Sequence, residues 1–114
     1  MKPKKPPLTE REFQRQVVDL AKLCGFRVAH FRPGRTRDGG WRTPVEADGA
    51  GFPDLTLCHP GRRLLLFVEV KVRTKLSAAQ AGWLADLRAA GVRAEVWVPE
   101  MWSETERTLR GGAG

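Results

Sequence analysis

Cysteine is nearly missing from this sequence. Cys24 and Cys58 are the only two, and they do not form a CxxC pair. This argues against a disulfide framework and leaves no thiolate set for a structural zinc. Two buried, reduced thiols in a cytoplasmic protein are the expectation, because disulfides are rare in that compartment. Histidine is equally scarce. His30 ends an expected strand and His59 sits in an expected turn, neither at ligand spacing to another donor, so neither is assigned catalysis or zinc. Apolar runs are short, and none approaches the roughly 20 residues that cross a bilayer. The Lys- and Pro-rich start, Met1 to Pro7, is followed by no apolar segment and does not read as a secretory signal. Repeats and low-complexity tracts are absent as well.

What is abundant is positive charge. Lys and Arg number 20 against 13 acids in 114 residues, a formal net charge of +7. The sequence pI is near 10.3. A chain of this length supports one domain with one core. A domain this small and basic attracts polyanions, with nucleic acid the first candidate. Charge licenses that class of partner and no chemistry.

Residues 1–8 read as a disordered basic arm carrying Lys2, Lys4 and Lys5, residues 9–110 as a single domain, and residues 111–114 as a flexible tail. Thr9-x-x-Glu12 is a capping box that opens a helix. Phe13, Val17, Leu20, Ala21 and Cys24 share one face of it, and Gly25 is placed to end it. Residues 26–31 predict a strand. From Arg32 to Pro53 glycine and proline break any period, and Arg32, Arg35, Arg37 and Arg42 cluster around Trp41 in what reads as one long loop. Such loops are commonly functional, so the arginines are candidates for phosphate contacts and Trp41 for stacking on a base or sugar. A solvated loop is the alternative.

Residues 54–58 and 64–72 predict two strands joined by a turn around Pro60-Gly61. Ser77-x-x-Gln80 is a second capping box, opening a helix that stops at Gly91. A strand over 94–98 and a helix over 101–109 complete the order α-β-β-β-α-β-α. The passage from residue 64 to residue 98 is long enough for a right-handed crossover, which makes the last strand parallel to its predecessor. The fold class is α/β, a mixed sheet flanked by helices.

Strand alternation puts Val68, Val70 and Val72 on one face of the third strand, and Phe67, Glu69 and Lys71 on the other. Charges at the end of a strand that begins as a continuous apolar run call for partners or function. A turn centred on Pro60-Gly61 sets Asp54 opposite Phe67 and diagonal to Glu69, about 7–8 Å away at Cα and on the same face. A slip of one residue would move Asp54 to the other face. Two carboxylates about 6 Å apart repel by roughly 3 kcal/mol at an effective dielectric near 20. Lys71 offsets part of that and a hard divalent cation offsets more. Oxygen donors without His or Cys select Mg2+ or Mn2+ over zinc.

Gly51-Phe52-Pro53-Asp54 followed by Glu69-Val70-Lys71 resembles the GxPD…ExK signature of the VRR-NUC branch of the PD-(D/E)XK nucleases. Gln80 resembles that branch's recurrent helix glutamine, and Trp83, Leu84 and Leu87 its surroundings. The resemblance covers residues 9–109. It implies a restriction-endonuclease-like fold and a Mg2+-dependent endodeoxyribonuclease. Asp54, Glu69 and the Val70 carbonyl would be metal ligands, and Lys71 would act on the attacking water and the charged transition state. An acid on the first helix often completes such a site. Glu10 and Glu12 both compete, with Glu10 preferred because capping already explains Glu12. Gln80 is a candidate for the active site, although capping alone accounts for it. Lys75 joins the loop arginines as a candidate DNA contact.

The resemblance further suggests action on branched DNA such as Holliday junctions, by a homodimer with one site per strand. A nickase or restriction-like endonuclease is the rival enzyme, and a catalytically idle basic DNA-binding protein the rival without chemistry. The intact Asp54, Glu69 and Lys71 speak against the idle form.

Overall fold

In a computed structural model, residues 7–31, 34–35, 41–42 and 46–111 are described, the two short pairs by their backbone alone. Helix α1 spans Glu10–Leu23. The capping box is complete at its start: the Glu12 amide donates to Thr9 Oγ1 at 3.1 Å, and the Thr9 amide donates to Glu12 Oε1 at 3.1 Å. At its end Gly25 takes φ of 92°, a left-handed conformation that turns the chain toward the sheet. Phe13, Val17, Leu20 and Ala21 form its buried face, as the spacing requires.

Strand β1 (Arg27–His30) follows, then a two-stranded antiparallel ladder of β2 (Gly34–Arg35) and β3 (Trp41–Arg42). This ladder interrupts the single loop expected from the sequence, because two-residue strands leave no periodic trace. Strand β4 (Leu55–His59) and strand β5 (Leu64–Val70) form an antiparallel hairpin around a 3-10 turn at Pro60–Arg62. Helix α2 (Ala78–Ala89) leads to β6 (Arg93–Trp97), and a second 3-10 turn at Pro99–Met101 leads to α3 (Trp102–Arg110). The sheet order is β1-β4-β5-β6. The β6 strand runs parallel to β5, as a crossover of that length requires. Three helices flank this four-stranded mixed sheet, a restriction-endonuclease-like arrangement.

The two sheet faces are packed unequally. Leu55, Leu57, Leu66, Val68 and Val70 join the α1 residues, Trp97 and Leu109 in one apolar cluster, with Phe13 edge-on to Trp102 at 6.1 Å. The opposite face is covered by α2, whose one buried residue is Leu84. Cys24 and Cys58 are free thiols but half-buried, not buried as the sequence suggests; Cys24 packs against the edge of that cluster.

One contact joins remote parts of the chain. The Arg62 guanidinium donates to the Leu109 and Thr108 carbonyls, both at 2.9 Å, which caps the C-terminus of α3. It also lies 5.4 Å from the Phe26 ring centre. His59 is occupied in the same corner: Nδ1 accepts from the Arg62 amide at 3.2 Å, and the ring is edge-on to Phe26 at 5.1 Å. Its part is structural.

Candidate active site

Strand β4 pairs with β5 so that Leu55 faces Val68 and Thr56 faces Phe67. Continuing that register by one step sets Asp54 directly opposite Glu69. Asp54 is therefore not opposite Phe67, the position expected from a turn centred on Pro60-Gly61, and the difference has a local cause. His59 pairs with Leu64, so the turn holds four residues, with Arg63 left-handed at φ of 50°. Its centre is Gly61-Arg62 and not Pro60-Gly61. The register moves by two residues, and a shift of two keeps every side chain on its face. The acids are therefore closer than a diagonal pair.

Glu69 is 2% exposed. Its Oε1 accepts a hydrogen bond from Gln80 Nε2 at 2.9 Å, while Oε2 is buried with no partner of good geometry. Burial first, and then the charge of Asp54, push the Glu69 carboxyl up to about 8, with Lys71 opposing. A proton retained on Glu69 lets the two acids coexist, since the protonated carboxyl can donate to Asp54. Asp54 is half-buried and its carboxyl is also raised, mainly by burial. The Glu69 side chain, the Val70 amide and Lys71 pull it down, and the charge of Glu10 raises it further.

This raised carboxyl fixes the sign of a stability effect. A group protonated more readily in the folded state contributes stability that is complete below its unfolded value and lost as pH rises through the folded one. The melting temperature in chelator is expected to fall between pH about 4.5 and about 8 on account of Glu69. Asp54→Asn removes the neighbouring charge. It should flatten that decline and stabilise the protein at the alkaline end by about 1 kcal/mol. It should also remove any stabilisation by added Mg2+, since a cation held by the two acids would bind the folded state only. Thermal melts of both proteins across this range, with chelator and with Mg2+, decide it. A less stable Asn variant in chelator would contradict the opposed-acid geometry.

Gln80 serves two sites with one amide. Its Oε1 accepts from the Ser77 amide at 2.8 Å, closing the capping box, while Nε2 reaches Glu69. Capping and contact with the acid, alternatives in the sequence, are both made. A glutamate could cap equally well but would bring a third negative charge to the pair.

Glu12 is engaged in its capping box, which lowers its carboxyl through the Thr9 hydroxyl and amide. Glu10 is the helix acid whose charge reaches Asp54. Among the described residues, no three His, Cys, Asp or Glu side chains form a ligand cluster, so Glu10 stands outside the Asp54–Glu69 pair. Val70 is buried where β5 pairs with Trp97 of β6, and the Lys71 amide donates to the Trp97 carbonyl at 3.0 Å. This bond holds Lys71 at the strand end, past the last residue of β5. Lys75 is exposed in the connection to α2. Arg35, Trp41 and Arg42 lie on the β2–β3 ladder, described by backbone only, and Arg32 and Arg37 lie outside the described residues.

How the Asp54 loop is held is not legible from the sequence pattern. Gly51 has φ of +83°, and a Cβ there would stand 2.6 Å from the Ala79 carbonyl carbon and 2.8 Å from the Gln80 nitrogen. The loop thus rests on the first turn of α2. Trp83 Nε1 donates to the Asp48 carbonyl at 2.9 Å, and the Phe52 ring is edge-on to Trp83 at 5.0 Å and to Phe67 at 5.6 Å. The available signal was the aromatic side chain inside the GxPD tetrad, which alternation alone could not pair.

The residues present fit a hard divalent cation. A buried carboxylate oxygen without a hydrogen-bond partner of good geometry faces a second acid across one strand pair, and the donors are all oxygen.

A search of curated proteins and of solved structures finds no match to the chain. A protein-family model, the VRR-NUC domain, matches residues 40–98, just over half of the chain. The matched segment runs from the β3 region through the Asp54 loop, Glu69, Lys71 and Gln80 to the end of β6, and leaves α1 and α3 outside it. With the restriction-endonuclease-like sheet and the opposed acids beside Lys71, this match makes the chain a member of the VRR-NUC domain family, a nuclease family of the PD-(D/E)XK superfamily.

Proposed function

We propose that the chain is a divalent-metal-dependent endonuclease that hydrolyses phosphodiester bonds in DNA. The observation that carries this reading is the buried Glu69, opposed to Asp54, next to Lys71 and held by Gln80. A purely electrostatic DNA binder gains nothing from two acids facing phosphate, since they repel it.

Asp54, Glu69 and the Val70 carbonyl would hold Mg2+ or Mn2+, with Glu10 as an outer acid. When bound, the cation supplies Lewis-acid polarisation of the phosphate and neutralises developing charge. The residues of the chain do the rest. Gln80 holds the Glu69 carboxylate in one orientation, so the donor does not rotate away. Lys71 presents its ammonium beside both acids, where it can orient an attacking water and stabilise the extra negative charge as one P–O bond forms and another breaks. Arg32, Arg35, Arg37, Arg42, Trp41 and Lys75 are the proposed DNA contacts. Branched DNA, Holliday junctions included, is the proposed preference. A homodimer is the proposed assembly, because it would present one site to each strand.

The test is to incubate the full chain with linear, nicked, flap and four-way DNA, with Mg2+ and with excess chelator. Cleavage that requires the cation, strongest on a branched substrate, is the expected result. Full cleavage in chelator, or none on any DNA, would overturn the reading.

A further inference from the structure

Phe31 is an unusual place for an apolar ring. It is 47% exposed, and its amide donates to the Asp54 carbonyl at 3.0 Å. Strand β1 pairs with β4 so that His30 faces Leu55 and Ala29 faces Thr56. One further step sets Phe31 opposite Asp54, which itself stands opposite Glu69. Phe31, Asp54 and Glu69 thus form one row across three strands, on the sheet face that carries the acids. Adjacent strands lie about 4.8 Å apart, so Phe31 is one strand from Asp54 and two from Glu69.

The ring is also backed. Phe31 is edge-on to Phe52 at 6.2 Å, and Phe52 is fixed in turn by Phe67 and Trp83. The inner rings are wedged between sheet and α2, while the outermost keeps nearly half its surface in solvent. Arg27 and Ala29 share its side of β1 and are exposed too, so α2 leaves this edge of the face uncovered. Arg27 lies roughly 13 Å away along the strand.

The geometry points to Phe31 as a stacking platform for an unpaired nucleobase beside the phosphodiester that is cut. This rests on the nuclease reading and narrows its substrate class. A supported aromatic with an open side takes a base by its π-face, whatever the base. A base inside an intact duplex has both faces covered by its neighbours and cannot offer one. A base left unstacked at a junction, flap or bulge can. The phosphate above the acid row belongs to a nucleotide whose base falls within a strand or two, where Phe31 stands. The chain's net charge of +7 favours this polyanionic occupant over a neutral or basic protein surface.

The test is a binding measurement on the full chain in chelator, where no cleavage occurs, using fluorescence anisotropy. The probes are a short duplex with a single unpaired nucleotide and its fully paired counterpart. Wild type should favour the former about tenfold, within the range for one stacked base. Phe31→Trp should keep the preference. Phe31→Ala should bring the two affinities together, and so should Phe31→Leu, which can keep the contact with Phe52 but has no π-face. Leu23→Ala, at a site 77% exposed on α1, should change nothing. Equal affinities in wild type, or a preference that survives Phe31→Leu, would overturn the inference. So would a change of oligomeric state in the Phe31 variants by sedimentation, which would assign the ring to a contact between copies. Because binding is read without cleavage, a chain that prefers the unpaired probe but never cuts refutes the hydrolysis reading and leaves the stacking site standing.

Discussion

Glu69→Gln is expected to reduce the proposed Mg2+-dependent cleavage by about a thousandfold or more, with DNA affinity within a fewfold of wild type. The substitution keeps the volume of a side chain that is 2% exposed, so the core is not opened. It removes the charge that would hold the cation, and it sets an amide against the Gln80 amide where a carboxylate oxygen now accepts at 2.9 Å. Asp54→Asn should do the same from the opposing strand. Lys71→Ala should lose a comparable factor for another reason, since the two acids proposed to hold the cation stay while the positive charge beside them goes. Groups that act as a unit are not additive, so a double variant should be little worse than either single one. Single-turnover cleavage with matched binding curves measures all of this. Wild-type rates in any of the three would remove the opposed acids from the chemistry.

The second large effect is expected at Gly51, which has no side chain to offer chemistry. An added Cβ would stand 2.6 Å from the Ala79 carbonyl carbon, 2.7 Å from the Ala79 Cβ and 2.8 Å from the Gln80 nitrogen. These include backbone atoms of the first turn of α2, so no side-chain rotation relieves the clash. The conformation, φ of +83°, adds about 1–2 kcal/mol for any residue with a Cβ. Gly51→Ala should therefore destabilise the fold by about 3 kcal/mol. It should also impair cleavage in molecules that remain folded, because moving the first turn of α2 moves Gln80 away from Glu69. Gly82→Ala is the contrasting case. It lies inside α2 with nothing within 4 Å of an added Cβ, so it should gain up to about 1 kcal/mol and leave cleavage unchanged. Thermal melts with cleavage at a temperature where both variants are folded separate the two sites. An unperturbed Gly51→Ala would mean that the Asp54 loop does not depend on α2.

Much of this molecule was legible in its sequence because the deciding interactions are local. Thr9 with Glu12 and Ser77 with Gln80 announce helix starts at a spacing of three, and both boxes close. Alternation along 64–70 separates Glu69 from Val68 and Val70 whatever the rest of the chain does. It set Asp54 and Glu69 on one face even with the hairpin register wrong by two, because parity is a property of the strand. The pairing itself belongs to the turn. The 3-10 turn at Pro60–Arg62 with Arg63 left-handed made it four residues long, and no apolar pattern encodes that conformation. Tertiary structure alone decided the contacts across long sequence separations. It brought Gln80 to Glu69, Glu10 within reach of Asp54, Arg62 to the end of α3 and the α2 backbone against Gly51. Each needs two elements held at a fixed distance by the core, and a sequence read by local propensity and period carries no term for that distance.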